Sequence, residues 1–375
     1  MTVSFVTAAA LGTIFNYAIS IFALGFIIFF HELGHFLLAK KNGICVIEFS
    51  VGMGPRLFSF KKGETRYSLK WIPFGGSCMM QGEDGGIPDA APEPDPEDAI
   101  ALDPERSFAD KSVWARISVI AAGPLFNFLL AFLCSLVIMG TIGADTPEIL
   151  GVIDGYPAQE AGLAAGDEIL SINGEKMVFY RDVLLYLQLA DPTETMQVVY
   201  ERDGAQYETE LHFQYDEDAG RYYIGIQGST SYRQKLSPVQ VVRYSLSETR
   251  YNLELTLKSL QMLFTGKASV NDLSGPVGIT NVMTETVESA KSDGALYVFL
   301  NILNLMILIS ANLGVMNLLP IPALDGGRLF FLLIEAVRGK PVSREKEGIV
   351  HIIGFVLLMI LMVFVVFNDI RKLFF

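Results

Sequence analysis

The sequence predicts an α-helical membrane protein with four spans, a small β-rich element, and one separate α+β domain. Four long apolar stretches carry this prediction, because a helix that crosses a bilayer needs about 20 mostly apolar residues. They occupy residues 11–39, 117–141, 295–321 and 349–367. The intervening segments 44–80 and 148–228 alternate strand and turn patterns, which is typical of folded structure outside the lipid.

The first stretch is interpreted as a permanent span rather than a cleaved signal peptide. It has no basic N-terminal region, and it ends in the charged pair His31-Glu32 instead of a small-residue cleavage site. The chain then divides into a first span (1–40), a β-rich loop (41–112), a second span (113–141), a folded domain (146–230), an amphipathic helix followed by a loop (231–294), a third span with its following loop (295–348), and a fourth span with the tail (349–375).

The distribution of lysine and arginine predicts the orientation of the spans. Segments 40–112 and 328–348 carry nine and five of these residues, whereas residues 1–12 carry none and the C-terminal tail carries two. Because positively charged loops stay in the cytoplasm, we expect both of these segments on the cytoplasmic side. Both termini and the long segment 142–294 are then expected outside.

The cytoplasmic loop is expected to have two parts. Residues 65–72 form a strand-like run that a turn at 62–64 folds back onto residues 56–60. Residues 83–105 hold nine carboxylates, several prolines and no basic residue. This composition predicts a disordered loop.

The segment expected outside, 142–294, contains one small domain by this reading, because its strand and helix signals span about 80 residues. Strands are expected at 149–153, 168–172, 196–201, 206–213 and 222–226, and helices at 157–162 and 181–189. Apolar residues at helical spacing over 236–264 predict a further amphipathic helix. Two positions suit this helix equally, the outer membrane interface and a face packed on the domain.

The net charge and the positions of the cysteines argue against a nucleic-acid partner and against a disulfide in the outside domain. The formal net charge of −13 argues against a nucleic-acid partner. The three cysteines, Cys45, Cys78 and Cys134, all lie outside the 146–230 domain, so that domain has no disulfide.

The run His31-Glu32-Leu33-Gly34-His35 is the strongest chemical motif. Residues four apart share one face of a helix, so the two imidazoles can bind one zinc ion. Glu32 then lies beside the metal as a general base for bound water. Ionisable groups in a span are costly, which favours a functional role over chance.

A third ligand is expected because catalytic zinc takes three protein ligands and keeps one open position. His212 and His351 are not expected to reach the metal. Asp325 is the better candidate, since it follows the third span on the cytoplasmic side, the level expected for His31 and His35. Two prolines, Pro320 and Pro322, break the helix before it, and broken backbone at membrane depth lines a cavity or is buried in protein.

These motifs together resemble the site-2 protease family of intramembrane zinc metalloproteases, most closely its bacterial RseP-type group. The resemblance extends over nearly the whole chain in the family's order. It also includes Val51 to Pro55, Gly123 to Asn127, Ser274 to Ile279, and a segment from Pro157 to Gly174 that is similar to a bacterial PDZ domain.

The resemblance implies one zinc ion per chain, held by His31, His35 and Asp325, with Glu32 as the base. It assigns substrate contacts to a further set of residues. These are Asn127, Asn317, Gly52, Gly54, Tyr223, Ile224, Gly225 and Ile226. The last four resemble the carboxylate-binding loop of permuted PDZ domains, and a purely steric module is the alternative reading of this domain. The β-rich element is expected either to pair with an unwound substrate or to serve as a plain structural hairpin.

The implied function is cleavage of single-span membrane proteins within the bilayer of a bacterial inner membrane. Typical substrates in the family are anti-sigma factors and signal-peptide remnants, often after an upstream site-1-type protease has trimmed them. Two other hypotheses remain from the residues themselves, an ion transporter lined by His and Asp and a catalytically inactive PDZ scaffold. The acidic insert and the single PDZ-like domain depart from the pattern of some relatives.

Overall fold

The computed structural model describes residues 2–83, 104–217, 220–231, 233–267, 269 and 274–374. In chain order the helices are α1 (Thr2–Lys41), α2 (Val113–Ile142), α3 (Pro157–Glu160), α4 (Tyr180–Leu189), α5 (Pro238–Phe264), α6 (Pro276–Ala290), α7 (Ala295–Leu318), α8 (Asp325–Arg338) and α9 (Arg344–Phe374). The strands are β1 (Val46–Lys62), β2 (Thr65–Met80), β3 (Gly151–Val152), β4 (Glu168–Ile172), β5 (Glu175–Lys176), β6 (Met196–Arg202), β7 (Ala205–Leu211), β8 (Gln214–Asp216), β9 (Arg221–Tyr223) and β10 (Ile226–Gln227).

The chain divides into two units. A membrane unit comprises Met1–Ser135 and Thr249–Phe375, and an α+β unit comprises Leu136–Glu248. Within the described residues, four helices are long and apolar enough to cross a bilayer, which confirms the predicted number of spans. Their apolar spans are Asn16–Lys41, Val113–Ile142, Ala295–Leu318 and Glu345–Lys372.

The third span is shorter than the expected 295–321. Helix α7 ends at Leu318, because Pro320 and Pro322 have no N–H group to continue the helical hydrogen bonds. The chain then makes a tight turn and re-enters a helix at Asp325. This second helix, α8, was not predicted from the sequence.

The β-rich element is confirmed, and it is more folded than a simple hairpin. Phe49 of β1 pairs with Cys78 of β2 on one side and with Tyr67 of β2 on the other. Ser59, later in β1, pairs with Ser68 of β2. Each long strand therefore bends and contributes two segments to one sheet. A buried cluster joins the sheet to neighbouring helices: Ala39, Ile44, Val46, Phe49, Cys78, Met80, Phe108, Val119, Ile120 and Leu332. The acidic insert expected at 83–105 lies almost entirely outside the described residues.

The loop expected around residues 275–279 is instead the beginning of helix α6. Pro276 occupies its first turn, where a missing N–H costs nothing. The backbone N–H groups of Gly275 and Gly278 donate to the Asp369 carboxylate of α9, at 3.0 and 2.9 Å. A Cβ atom on Gly275 would lie 2.8 Å from that carboxylate, so the motif needs glycine for this contact.

The α+β unit contains a four-stranded sheet in the order β5-β4-β6-β7. Strands β6 and β7 are joined by a hairpin turn in which Asp203 and Gly204 both have positive φ. The single strand expected at 222–226 is interrupted, because Ile224 and Gly225 separate β9 from β10. The strand expected at 149–153 is reduced to the two residues of β3, while α4 and β4 follow the prediction closely.

Candidate metal centre

Three side chains from α1 and α8 converge at one point in the membrane unit. His31 and His35 are one helical turn apart on α1, and their Nε2 atoms lie 3.3 Å apart. Asp325 Oδ2, from the first turn of α8, lies 3.1 Å from His31 Nε2 and 3.4 Å from His35 Nε2. The structure therefore brings together the three residues that the sequence predicts as ligands.

The spacing of these atoms fits a tetrahedral zinc ion. Ligand bonds of about 2.0–2.1 Å place two tetrahedral ligand atoms roughly 3.3 Å apart, as all three pairs here are. The Asp325 Oδ2 atom is buried and accepts no hydrogen bond from the described residues. Although burial by itself raises the pKa of Asp325, the adjacent imidazoles of His31 and His35 outweigh burial and lower that pKa. The donor set is therefore anionic and preorganised for a cation.

Two glycines allow α1 and α2 to approach closely enough to enclose this centre. A Cβ atom on Gly34 would lie 2.4 Å from the carbonyl oxygen of Ala122. A Cβ atom on Gly123 would lie only 2.2 Å from His35 Nε2. Any larger side chain at either position would push apart the helices that carry the ligands. As a result, both imidazoles are buried, with His31 8% and His35 6% exposed.

The second ring nitrogen of each histidine has its own partner. His35 Nδ1 donates to the backbone carbonyl of Val119 at 2.9 Å, which leaves its Nε2 free to bind a metal. His31 Nδ1 lies 3.0 Å from the carboxamide nitrogen of Asn127. The Asn127 carboxamide oxygen is buried without a described hydrogen-bond partner. If the nitrogen and oxygen of the Asn127 amide are exchanged, Oδ1 accepts a hydrogen bond from His31 Nδ1–H. The buried oxygen then has a donor, and the His31 Nδ1–H has an acceptor.

Glu32 lies between the metal ligands and the β-rich element. A Cβ atom on Gly76 would lie 2.8 Å from the Glu32 Cγ, so the β2 backbone packs directly on this side chain. The Glu32 carboxylate lies near the backbone N–H of Cys78 and interacts electrostatically with His31 and Asp325. The outer edge of β2 is therefore next to the predicted base.

The turn before Asp325 packs against the end of α7 and against α9. A Cβ atom on Gly326 would lie 2.0 Å from the Leu319 carbonyl oxygen, so the first turn of α8 rests on the backbone at the end of α7. Ala323 has a positive φ of 73°. Its N–H donates to His351 Nδ1 of α9 at 2.9 Å.

The other predicted residues occupy several places. Asn127 is fully buried behind His31, and Asn317 is half-buried in the last turn of α7. Gly52 and Gly54 bend β1 at positive φ of 87° and 85°. The remaining set, Tyr223 to Ile226, belongs to the α+β unit, where the Ile224 and Gly225 carbonyls accept from Ala158 and Ile153. His212 is exposed at the end of β7 in that same unit.

Sequence reasoning missed the supporting role of Asn127, Gly123 and His351. The Gly123-to-Asn127 segment was recognised only as a motif, and its glycine followed by a polar residue in an apolar helix was the available signal. His351 was considered only as a metal ligand. It does not join the ligand cluster, yet it contacts the turn that carries Asp325.

Known proteins are similar to this chain in sequence over most of its length. The family model described as Peptidase family M50 matches residues 19–361. A Clostridium acetobutylicum protein named as a zinc metalloprotease is 37% identical over 356 residues, covering 95% of this chain and 97% of its own. The regulator of sigma-W protease RasP of Bacillus subtilis is 35% identical over 423 residues, covering 94% and 98%. A PDZ domain from a Listeria monocytogenes SdrC-like protein aligns with 22% of this chain and 84% of its own at 22% identity, but its TM-score of 0.20 is too low to decide a fold.

Proposed function

Since this chain belongs to peptidase family M50, the zinc metalloendopeptidases of the site-2 protease type, we propose that it cleaves single-span membrane proteins at the centre formed by His31, His35 and Asp325. The observation that carries this proposal is the convergence of three ligand atoms, each 3.1–3.4 Å from the others, beside a span. These three residues would hold one zinc ion per chain. Bound zinc supplies a Lewis acid that lowers the pKa of a coordinated water to about 7.

Glu32 is the proposed general base. Its carboxylate lies beside the ligands and near the Cys78 N–H, and its Cγ packs on Gly76. A carboxylate in this position takes the proton from the attacking water and passes it to the leaving amine. The buried His31 and His35 contribute fixed geometry, because Asn127 and Val119 hold their second nitrogens.

The edge of β2 is the proposed binding site for the unwound substrate. A substrate helix hides its peptide bonds in hydrogen bonds between residues four apart, and these bonds must open before hydrolysis. Among the described pairs, residues 76–80 of β2 pair only with the first half of β1, so their second edge faces Glu32. A substrate strand added at that edge by β-augmentation would lie along the base. Gly52 and Gly54 contribute by bending β1 within this sheet, and Asn317 contributes a polar group at the end of α7.

The charge distribution supports the proposed orientation in a bacterial inner membrane. Nine basic residues in 40–112 and five in 328–348 favour the cytoplasmic side for these loops. The metal centre then lies near the cytoplasmic face, and both termini and the α+β unit lie outside. Substrates that suit this orientation of the enzyme are trimmed anti-sigma factors and signal-peptide remnants. An upstream site-1-type protease acts on them first. The 146–230 domain is a PDZ-type filter, and Tyr223 to Ile226 bind a newly formed C-terminus.

Turnover of a model substrate tests this function and separates it from ion transport and from an inactive scaffold. The parent protein, reconstituted in liposomes with a single-span substrate, is expected to cleave it and to lose activity when a chelator removes the zinc. Glu32→Gln should retain zinc and lose about 10²–10⁴-fold in rate, since an amide does not accept the proton. Glu285→Gln, an exposed carboxylate on α6, is the matched control and should cleave normally.

Each result has a distinct meaning. Cleavage by Glu32→Gln at nearly the parental rate would show that another group is the base. Zinc-dependent ion flux without proteolysis by the parent would favour the transporter. Bound zinc with neither activity would favour the scaffold.

A further inference from the structure

The turn before Asp325 adopts an unfavourable backbone conformation. Among the described residues other than glycine, positive φ occurs at Asn173, Asp203 and Ala323. Asparagine and aspartate tolerate this region because their short polar side chains bond locally to the backbone. Alanine has no such group, so the conformation of Ala323 must be maintained by contacts from elsewhere in the structure.

Helix α9 supplies those contacts. His351 Nδ1 accepts the hydrogen bond from the Ala323 N–H at 2.9 Å. Gly354, three residues later and therefore on the same face of the helix, packs on Pro322 so closely that a Cβ atom would lie 2.3 Å from the Pro322 Cβ. The Phe331 ring of α8 packs beside the imidazole, with the ring centroids 5.8 Å apart. Helix α9 therefore contacts the turn at two successive residues, Pro322 and Ala323.

The position of this turn determines the position of the third ligand. Asp325 follows Ala323 by two residues and begins α8. Gly326 and Gly327 pack against the backbone of 318–322, which leaves little space for the turn to relax without moving the carboxylate. The Asp325 Oδ2 atom must lie 3.1–3.4 Å from both imidazoles to complete the ligand set.

We propose that His351 is a positioning residue of the metal centre. Its Nδ1 accepts from Ala323, holds the left-handed turn, and so places the Asp325 carboxylate for the metal. Because Nδ1 is the acceptor, the neutral ring carries its proton on Nε2 and acts through the turn rather than as a ligand. This inference rests on the proposed ligand role of Asp325.

Zinc affinity of the purified protein tests the inference without using activity. Removing a group that supports a ligand typically lowers metal affinity 10–100-fold. We expect a loss of this size for His351→Ala, measured by competition with a chelator, together with a changed absorption spectrum of the cobalt-substituted protein. His351→Asn should retain most of the affinity, since its carboxamide oxygen replaces Nδ1 as the acceptor.

A second variant makes the test independent of general damage to α9. Glycine adopts positive φ without steric cost, so adding Ala323→Gly to His351→Ala should restore most of the lost affinity. Ile352→Ala, a neighbouring exposed residue on α9, is the matched control and should bind zinc like the parent. Parental zinc affinity in His351→Ala would overturn the inference. So would a loss that neither His351→Asn nor Ala323→Gly corrects.

Asp325→Asn distinguishes this inference from the function on which it rests. If Asp325→Asn binds zinc as tightly as the parent, the ligand set itself is wrong. If Asp325→Asn loses zinc while His351→Ala does not, the ligand set stands and only the positioning role is refuted.

Discussion

The carboxamide of Asn127 illustrates how a metal centre depends on residues behind its ligands. Asn127 is 0% exposed, and its side chain lies against His31 Nδ1. Its backbone carbonyl accepts from Ser310 of α7, which connects α2 to the third span at the same level. A residue buried in this way can support His31 directly, whereas the family resemblance implies a substrate contact.

Replacing Asn127 with leucine should separate these two roles. Leucine keeps the approximate shape but removes the acceptor, so His31 loses its orientation and zinc affinity should fall about 10–100-fold. Asn127→Asp should retain the metal, because a carboxylate also accepts from Nδ1–H. Chelator competition on the purified variants measures both. Unchanged zinc affinity in Asn127→Leu together with weaker substrate binding would instead support the substrate contact.

The β-rich element and the membrane helices meet at Glu32. Strand β2 is joined to β1 on one edge, as the pairing of Phe49 with Cys78 shows, and contacts Glu32 on the other. Such an edge normally invites pairing with another strand. Its location beside the base is the reason to expect substrates to bind as an extended strand.

Cleavage should therefore become faster when the substrate helix unwinds more easily. Replacing a leucine by glycine near the scissile bond lowers helix stability by about 1 kcal/mol, which corresponds to roughly a fivefold faster rate if unwinding limits turnover. Leucine-to-alanine changes at the same positions are the control, since alanine removes volume but keeps helix propensity. Initial rates in liposomes measure the effect. Equal rates for the glycine and alanine substrates would argue against an unwinding step.

At the scale of the whole molecule, metal chemistry and the α+β domain belong to different units. The three predicted ligands, Glu32 and Asn127 all lie in the membrane unit, whereas residues 136–248 form a unit with its own buried core. The ends of the domain are adjacent, because the Leu150 N–H donates to the Gln227 carbonyl at 2.8 Å. The domain can therefore be removed and replaced by a short linker.

Deleting residues 148–228 should leave zinc binding and cleavage of a trimmed substrate intact. The same deletion should allow some cleavage of an untrimmed substrate, because a folded domain of about 80 residues no longer excludes bulky partners. Paired long and short versions of one substrate in membranes provide the measurement. If the deleted enzyme still rejects the long version as strictly as the parent does, the domain is not the filter.

Local patterns in the sequence were sufficient for the four spans, the pair His31 and His35, and the choice of Asp325. Each of these rests on residues close together in the chain: apolar runs, spacing of four in a helix, or prolines that interrupt a span. The same reasoning does not predict helix α6, because Gly275 and Gly278 indicate a loop in the sequence. Their glycines serve a contact with Asp369, more than ninety residues away.

The sequence by itself determined the number of candidate spans and the family of this protein, and it was sufficient to predict the ligand residues and the base. Tertiary structure alone decided that Asn127 supports His31 across 96 residues, that β2 presents its edge to Glu32, and that His351 supports Ala323 across 28 residues. The physical reason is that the spacing of residue types along the sequence specifies which face of a helix is apolar and which face carries the predicted ligands. The rotation and closeness with which two helices pack depend on side-chain and glycine contacts between distant segments, as at Gly34 and Gly123.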